Sequence, residues 1–162
     1  VPSIVFYNLH NCAAVHLIEA DNSSYLCSNR KDSTYIYMKN IAETYWKRKK
    51  MPIPHLLLSD YEGRNVWSHK GIVHWRGMNI CMVTDGYWRN KSATNLLDID
   101  YMYLCKGYKG EIAPLQKLFH IKRIVLDASL GDYKSKAYKE ECKTLGLDYI
   151  DISEKGSFRI LL

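Results

Sequence analysis

The chain has 162 residues, 47% of them hydrophobic and 25% charged, with a formal net charge of +6. That length and balance suit one folded domain with its own core and exclude fibrous and disordered classes. No apolar run approaches the roughly 18 to 20 residues that cross a bilayer, and a pI near 9.0 favours anionic partners such as nucleic acid or lipid headgroups.

The chain opens Val1-Pro2 with no basic, apolar and small-residue leader pattern, the start expected of a processed product or an excised fragment. Residues 3–8 and 13–19 are β-rich runs, and residues 24–27 follow the Asp21-Asn22 turn signal, so an antiparallel meander is expected. Asp32 and Ser33 cap a predicted helix whose apolar stripe is Tyr35, Met38, Ile41, Ala42 and Tyr45. Lys47-Arg48-Lys49-Lys50 ends it, either as cations on the negative end of the helix dipole or as an anion-binding run. Met51-Pro52-Ile53-Pro54 stops that helix, and residues 55–59 read as a short strand. After residues 61–64, runs 71–76 and 78–84 pivot at Gly77 as a hairpin that Asp85-Gly86 closes. Residues 87–94 form a polar, Trp-containing loop before a strand over 99–105. A helix is expected over 111–119 with Pro114 in its first turn, then a strand over 123–128. A second helix spans 133–145 and ends at Gly146, before a closing hairpin of 149–152 and 158–161 around Glu154-Lys155-Gly156.

Few residues carry obvious chemistry. Cys12, Cys27, Cys81, Cys105 and Cys142 are scattered without a CxxC pair, which signals small core residues rather than a zinc ribbon or disulfide framework. His69 and His74 are five apart and His10 and His16 six apart, neither a paired-ligand spacing. His55 reads as a strand-edge residue and His120 as a surface residue. Asp127 ends a strand where α/β sites lie, and an acid there also caps the next turn. Lys106-Gly107-Tyr108-Lys109-Gly110 lacks the spacing and hydroxyl of a phosphate-binding P-loop, but its lysines and amides suit phosphates and Tyr108 suits a stacked base.

From Ile4-Val5-Phe6-Tyr7-Asn8 through Asn11-Cys12-Ala13-Ala14-Val15 to Arg123-Ile124-Val125-Leu126-Asp127-Ala128-Ser129 and the ending ISEKGSFRIL, the chain resembles the metallo-β-lactamase-like domain at the C-terminus of ComEC-type competence proteins, in its Bacteroidetes form. The resemblance implies an α/β fold of αββα type, a degenerate metallo-β-lactamase-like β-sandwich flanked by helices. It also implies that residues 1–162 are one domain, the soluble C-terminal piece of a polytopic membrane protein, on the periplasmic or outer face.

The departures from the family are chemical. The HxHxDH metal loop is replaced by Asp60-Tyr61-Glu62-Gly63, the bridging aspartate falls near Asp85, and the HHGS word has become Lys106-Gly107-Tyr108-Lys109. No metal and no cofactor are therefore expected, and no catalytic residue, with Asp60, Asp85 and Asp127 as the remaining candidates. The family fold places Trp88, Arg89 and Lys91 on the same rim as Lys106, Tyr108 and Lys109, which makes these six residues the candidate contacts for single-stranded DNA. The expected role is a non-catalytic accessory domain of a DNA-uptake channel, partnered by the channel's own transmembrane part. The alternative is a metal-dependent phosphodiesterase or nuclease in which those three aspartates and His69 or His74 form a rearranged site. A third reading gives residues 47–50, 106 and 109 to DNA or anionic headgroups through charge alone.

Overall fold

The structure is a computed structural model and describes residues 1–9, 12–29, 40, 43–44, 46–57 and 60–162. The expected meander is present: β1 (Ser3–Phe6), β2 (Ala14–Ile18) and β3 (Ser24–Ser28) pair antiparallel in sequence. Ser23 donates from both its amide and its hydroxyl to Asp21 Oδ1, fixing the turn that the sequence marks. β4 (His55–Leu57) lies parallel to β3, and the C-terminal β14 (Phe158–Leu161) adds antiparallel to β1, giving a five-stranded sheet.

A second sheet holds seven strands. β5 (Tyr61–Glu62), β6 (Val66–His69), β7 (Ile72–Trp75) and β8 (Met78–Val83) run antiparallel, and β10 (Tyr101–Leu104), β12 (Arg123–Leu126) and β13 (Asp148–Asp151) then continue from β8 in parallel. β9 (Leu97–Ile99) and β11 (Phe119–Ile121) form a small parallel pair beside it.

Two-residue periodicity sets the layers. Ile4, Phe6, Val15 and Leu17 of the first sheet face Val73, Trp75, Ile80, Met82, Tyr103 and Val125 of the second across one buried core. Phe6 meets the Tyr103 ring edge-on at 5.0 Å. The alternate residues Cys81, Val83, Met102, Leu104, Ile124 and Leu126 pack outward against Leu115, Tyr138 and Cys142. On the opposite outer face Val5, Tyr7, Ala14, Ile18 and Leu26 are covered by Trp46, which lies in a helical stretch and is buried. The result is a mixed α/β sandwich of two facing sheets with helical cover.

Helix α1 (Asp132–Leu145) covers the second sheet and ends at Gly146 in the left-handed conformation (φ 70°), as its sequence predicts. The predicted cap Asp32-Ser33 and the stripe residues Tyr35, Met38, Ile41, Ala42 and Tyr45 lie outside the described residues, as do Leu58, Ser59, His10 and Asn11.

Four expectations need correction. The Asp85-Gly86 turn closes no hairpin, because β8 pairs next with the parallel strand β10. The terminal hairpin is absent: β13 belongs to the second sheet and β14 to the first, with the short helix α2 (Ile152–Lys155) between them. Asp151 accepts from Ser153 N–H at 2.9 Å and so starts that helix instead of a turn. The segment expected as a helix over 111–119 is a 3₁₀ turn, Ala113–Lys117, and the strand expected over 99–105 is split between β9, which ends at Ile99, and β10, which starts at Tyr101.

Candidate functional site

Four parallel strands, β8, β10, β12 and β13, bring their C-terminal ends to one end of the second sheet. α/β folds place their sites at such an end. Thr84-Asp85 follows β8, Cys105-Lys106-Gly107 follows β10, and Asp127 follows β12. A cavity of about 310 Å³ opens there between the end of β3 and the β6–β7–β8 region. Its lining includes Ser28, Asn29, Asp60, His69, Lys70, Asp85, Tyr87 and Trp88.

Asp60 and Asp85, singled out by the sequence, do share this cavity. His69 donates from Nδ1 to Asp60 Oδ2 (2.7 Å) and the Lys70 amide donates to Asp60 Oδ1 (3.0 Å). The Lys70 amide chiefly, then His69, holds the Asp60 carboxyl below its ordinary range. Asp85 Oδ1 accepts from Tyr87 N–H at 3.0 Å, a local turn contact.

Asp127 does not join them. It is buried at the end of β12, accepts from the Tyr103 hydroxyl and from Ser129 N–H (3.0 Å), and caps the 3₁₀ turn Ala128–Leu130, the structural role its position also suggested. Burial pushes its carboxyl up, against the hydrogen bonds from Ser129 and Tyr103 that favour the ionised form. His74 lies on β7 outside the cavity lining, where Nδ1 bonds Asn79 and the ring stacks on Trp67.

The metal that the fold resemblance implies does not fit this donor set. Among the described residues no three His, Cys, Asp or Glu side chains gather to hold an ion. Both cavity carboxylates already serve the backbone, and the Lys70 side chain shares the lining with them. Cys27 also lines the cavity; it is buried, and burial pushes its thiol up to about 12. All five cysteines are free and buried, as expected of core residues.

The six rim residues divide. Lys106, Lys109, Arg89 and Lys91 are exposed, on two loops that touch: a Cβ on Gly107 would lie 2.0 Å from Thr84 O. Trp88 is half-buried, edge-on to Phe119 at 5.2 Å and to Tyr87 at 4.6 Å. Tyr108 is only 7% exposed, packs in the outer core, and donates its hydroxyl to Glu111 O at 2.6 Å. Its ring is therefore a packing element and not a free stacking face, since Leu115 and its neighbours offer it an apolar layer. Tyr87, which sequence reasoning passed over, takes the exposed position at 40%. The Lys70 and Lys91 ammonium groups sit 5.3 and 4.9 Å from its ring centroid. Lys70-Gly71 joins the strands β6 and β7, and that two-residue turn signal could have placed Lys70 at the sheet end.

A mixed α/β sandwich whose parallel strand ends carry a cavity and a basic rim defines the class of this molecule. The model of the ComEC C-terminal domain family matches residues 4–162, and the chain belongs to that family. Membership ties it to DNA uptake in competence, as the resemblance implied. No curated protein and no solved structure matches the chain. No helix among the described residues is long and apolar enough to cross a membrane.

Proposed function

We propose that the chain is a non-catalytic, extramembrane accessory domain of a DNA-uptake channel, built on a degenerate metallo-β-lactamase-like αββα sandwich, that contacts single-stranded DNA weakly along its cavity rim. Residues 1–162 act as one domain, partnered by the transmembrane channel part of the full-length protein and facing the periplasm or the cell exterior. The observation that supports this reading best is the state of the three acids. Asp60 accepts from His69 and the Lys70 amide and Asp85 from Tyr87 N–H, both at the surface, Asp127 is buried under Tyr103, and Arg89, Lys91, Lys106 and Lys109 are exposed beside them. Such cations meet phosphates without chemistry, and half-buried Trp88 offers an edge for a base.

One observation favours a second reading, phosphodiester hydrolysis at a rearranged metal site: Asp60, His69 and Asp85 share one cavity. The test separates the two. The purified protein is incubated with zinc or manganese, desalted, and assayed for bound metal by mass spectrometry and for cleavage of a labelled single strand. The accessory-domain reading predicts substoichiometric metal, an intact strand and binding indifferent to EDTA. Stoichiometric metal with cleavage that Asp85→Asn abolishes contradicts it and establishes the hydrolase.

A further inference from the structure

Resting on the single-strand reading above, we infer that the cavity takes one nucleotide of the strand, base inward and phosphate at the mouth, which deepens a surface contact into an anchored one. The volume of about 310 Å³ lies at the lower end of the range for small-ligand clefts, roughly 300 to 1,000 Å³.

Two lining residues carry polar atoms that the described protein leaves unpaired. Ser28 Oγ and Asn29 Oδ1 are buried without a hydrogen-bond partner among the described residues. A buried polar atom left unpaired is costly, and a side-chain rotation that brings Asn29 Oδ1, or the Ser28 hydroxyl, to a ligand N–H removes that cost. The exocyclic amines and ring N–H groups of nucleobases are donors of this kind.

The mouth has the complementary chemistry. Tyr87 exposes a ring flanked by the ammonium groups of Lys70 and Lys91. A base stacking on Tyr87 displaces an ammonium from the ring toward the phosphate of the same nucleotide, exchanging a cation–π contact for an ion pair. Lys70 is held in place for this. Its backbone adopts φ 50° in the β6–β7 turn, its amide is fixed by Asp60, and a Cβ on the following Gly71 would lie 2.5 Å from Met82 O, so the turn lies hard against β8. Asp85, tied to Tyr87 N–H, confines a phosphate to the Lys70–Lys91 side.

The experiment titrates the protein at low ionic strength with deoxyadenosine 5′-phosphate, deoxyadenosine and deoxyribose 5-phosphate, and in parallel with an oligothymidylate. Saturable one-to-one binding of the nucleotide, at least about tenfold tighter than either fragment, is expected. Lys70→Gly, which suits the turn's positive φ, and Tyr87→Ala should each weaken it about tenfold or more at unchanged Tm. Fragments that bind as tightly as the nucleotide, or variants that bind like the wild type, overturn the inference. An oligothymidylate bound equally by wild type and Tyr87→Ala but lost in Lys106→Ala/Lys109→Ala overturns the cavity while the rim reading survives. An oligothymidylate bound by none of them overturns both.

Discussion

His16 lies on β2 with no exposed surface, its Nδ1 sharing a hydrogen bond with the Tyr7 hydroxyl at 2.7 Å, while Tyr7 accepts from Trp46 Nε1 at 3.2 Å. The other ring nitrogen, Nε2, has no partner among the described residues. Burial, reinforced by Arg159, pushes the imidazole down to about 4 from 6.5. Because the unfolded chain binds a proton there that the folded chain refuses, this group's contribution to stability is present above about 6.5 and is lost as pH falls toward about 4. The loss amounts to roughly 3 kcal/mol across that window. A pH titration of the His16 ring by NMR checks it: the ring should stay neutral well below the ordinary histidine range, and titration near 6.5 contradicts the assignment. Nothing in the AVHLI run distinguishes a buried histidine from a surface one, since its burial depends on Trp46 arriving from a distant segment. Asp127 differs, because its place at a strand end already indicated a cap and a capped turn is what it makes. Tyr108 misled for the same reason as His16: only the helical cover decides whether a loop aromatic faces water or core.

Elements that depend on local pattern were legible, and those that depend on pairing were not. The β1–β2–β3 meander, the β7–β8 hairpin and α1 with its glycine cap follow from alternation, turn residues and helical spacing. Asp85-Gly86 and Glu154-Lys155-Gly156 carry hairpin signals, yet both lead elsewhere: β8 pairs next with the parallel β10, and the strand after Gly156, β14, crosses to the other sheet and pairs antiparallel with β1. The loop after β10 is the tightest of these joints. Gly107 has φ 106° and presses on the Thr84 carbonyl, so it welds the two basic loops together. Gly107→Ala combines a left-handed strain with a backbone overlap at 2.0 Å. It should destabilise the fold by about 3 kcal/mol or more, read as a fall in the urea midpoint at constant slope. A change below about 0.5 kcal/mol would show that the two loops are not mutually fixed.

Taken whole, the molecule keeps two facing sheets with helical cover, while Asp127 is buried under Tyr103 and the exposed Asp60 and Asp85 accept hydrogen bonds from nearby protein donors. Family membership was legible in the order of elements and in words such as RIVLDAS; the cavity was not, since Ser28, Lys70 and Tyr87 come from three separate segments. The surplus charge of +6 includes Arg89, Lys91, Lys106 and Lys109 at that end of the sheet. If the molecule serves DNA uptake through charge and shape, binding must release counterions in proportion to the phosphates those side chains meet. The most direct test is the affinity for a single-stranded oligonucleotide in EDTA at low and at fourfold higher salt. About four phosphate contacts predict a loss of roughly 50-fold, and Lys106→Ala/Lys109→Ala should flatten the slope by about half. Affinity that does not change with salt, or that appears only when a divalent metal is supplied, contradicts the account.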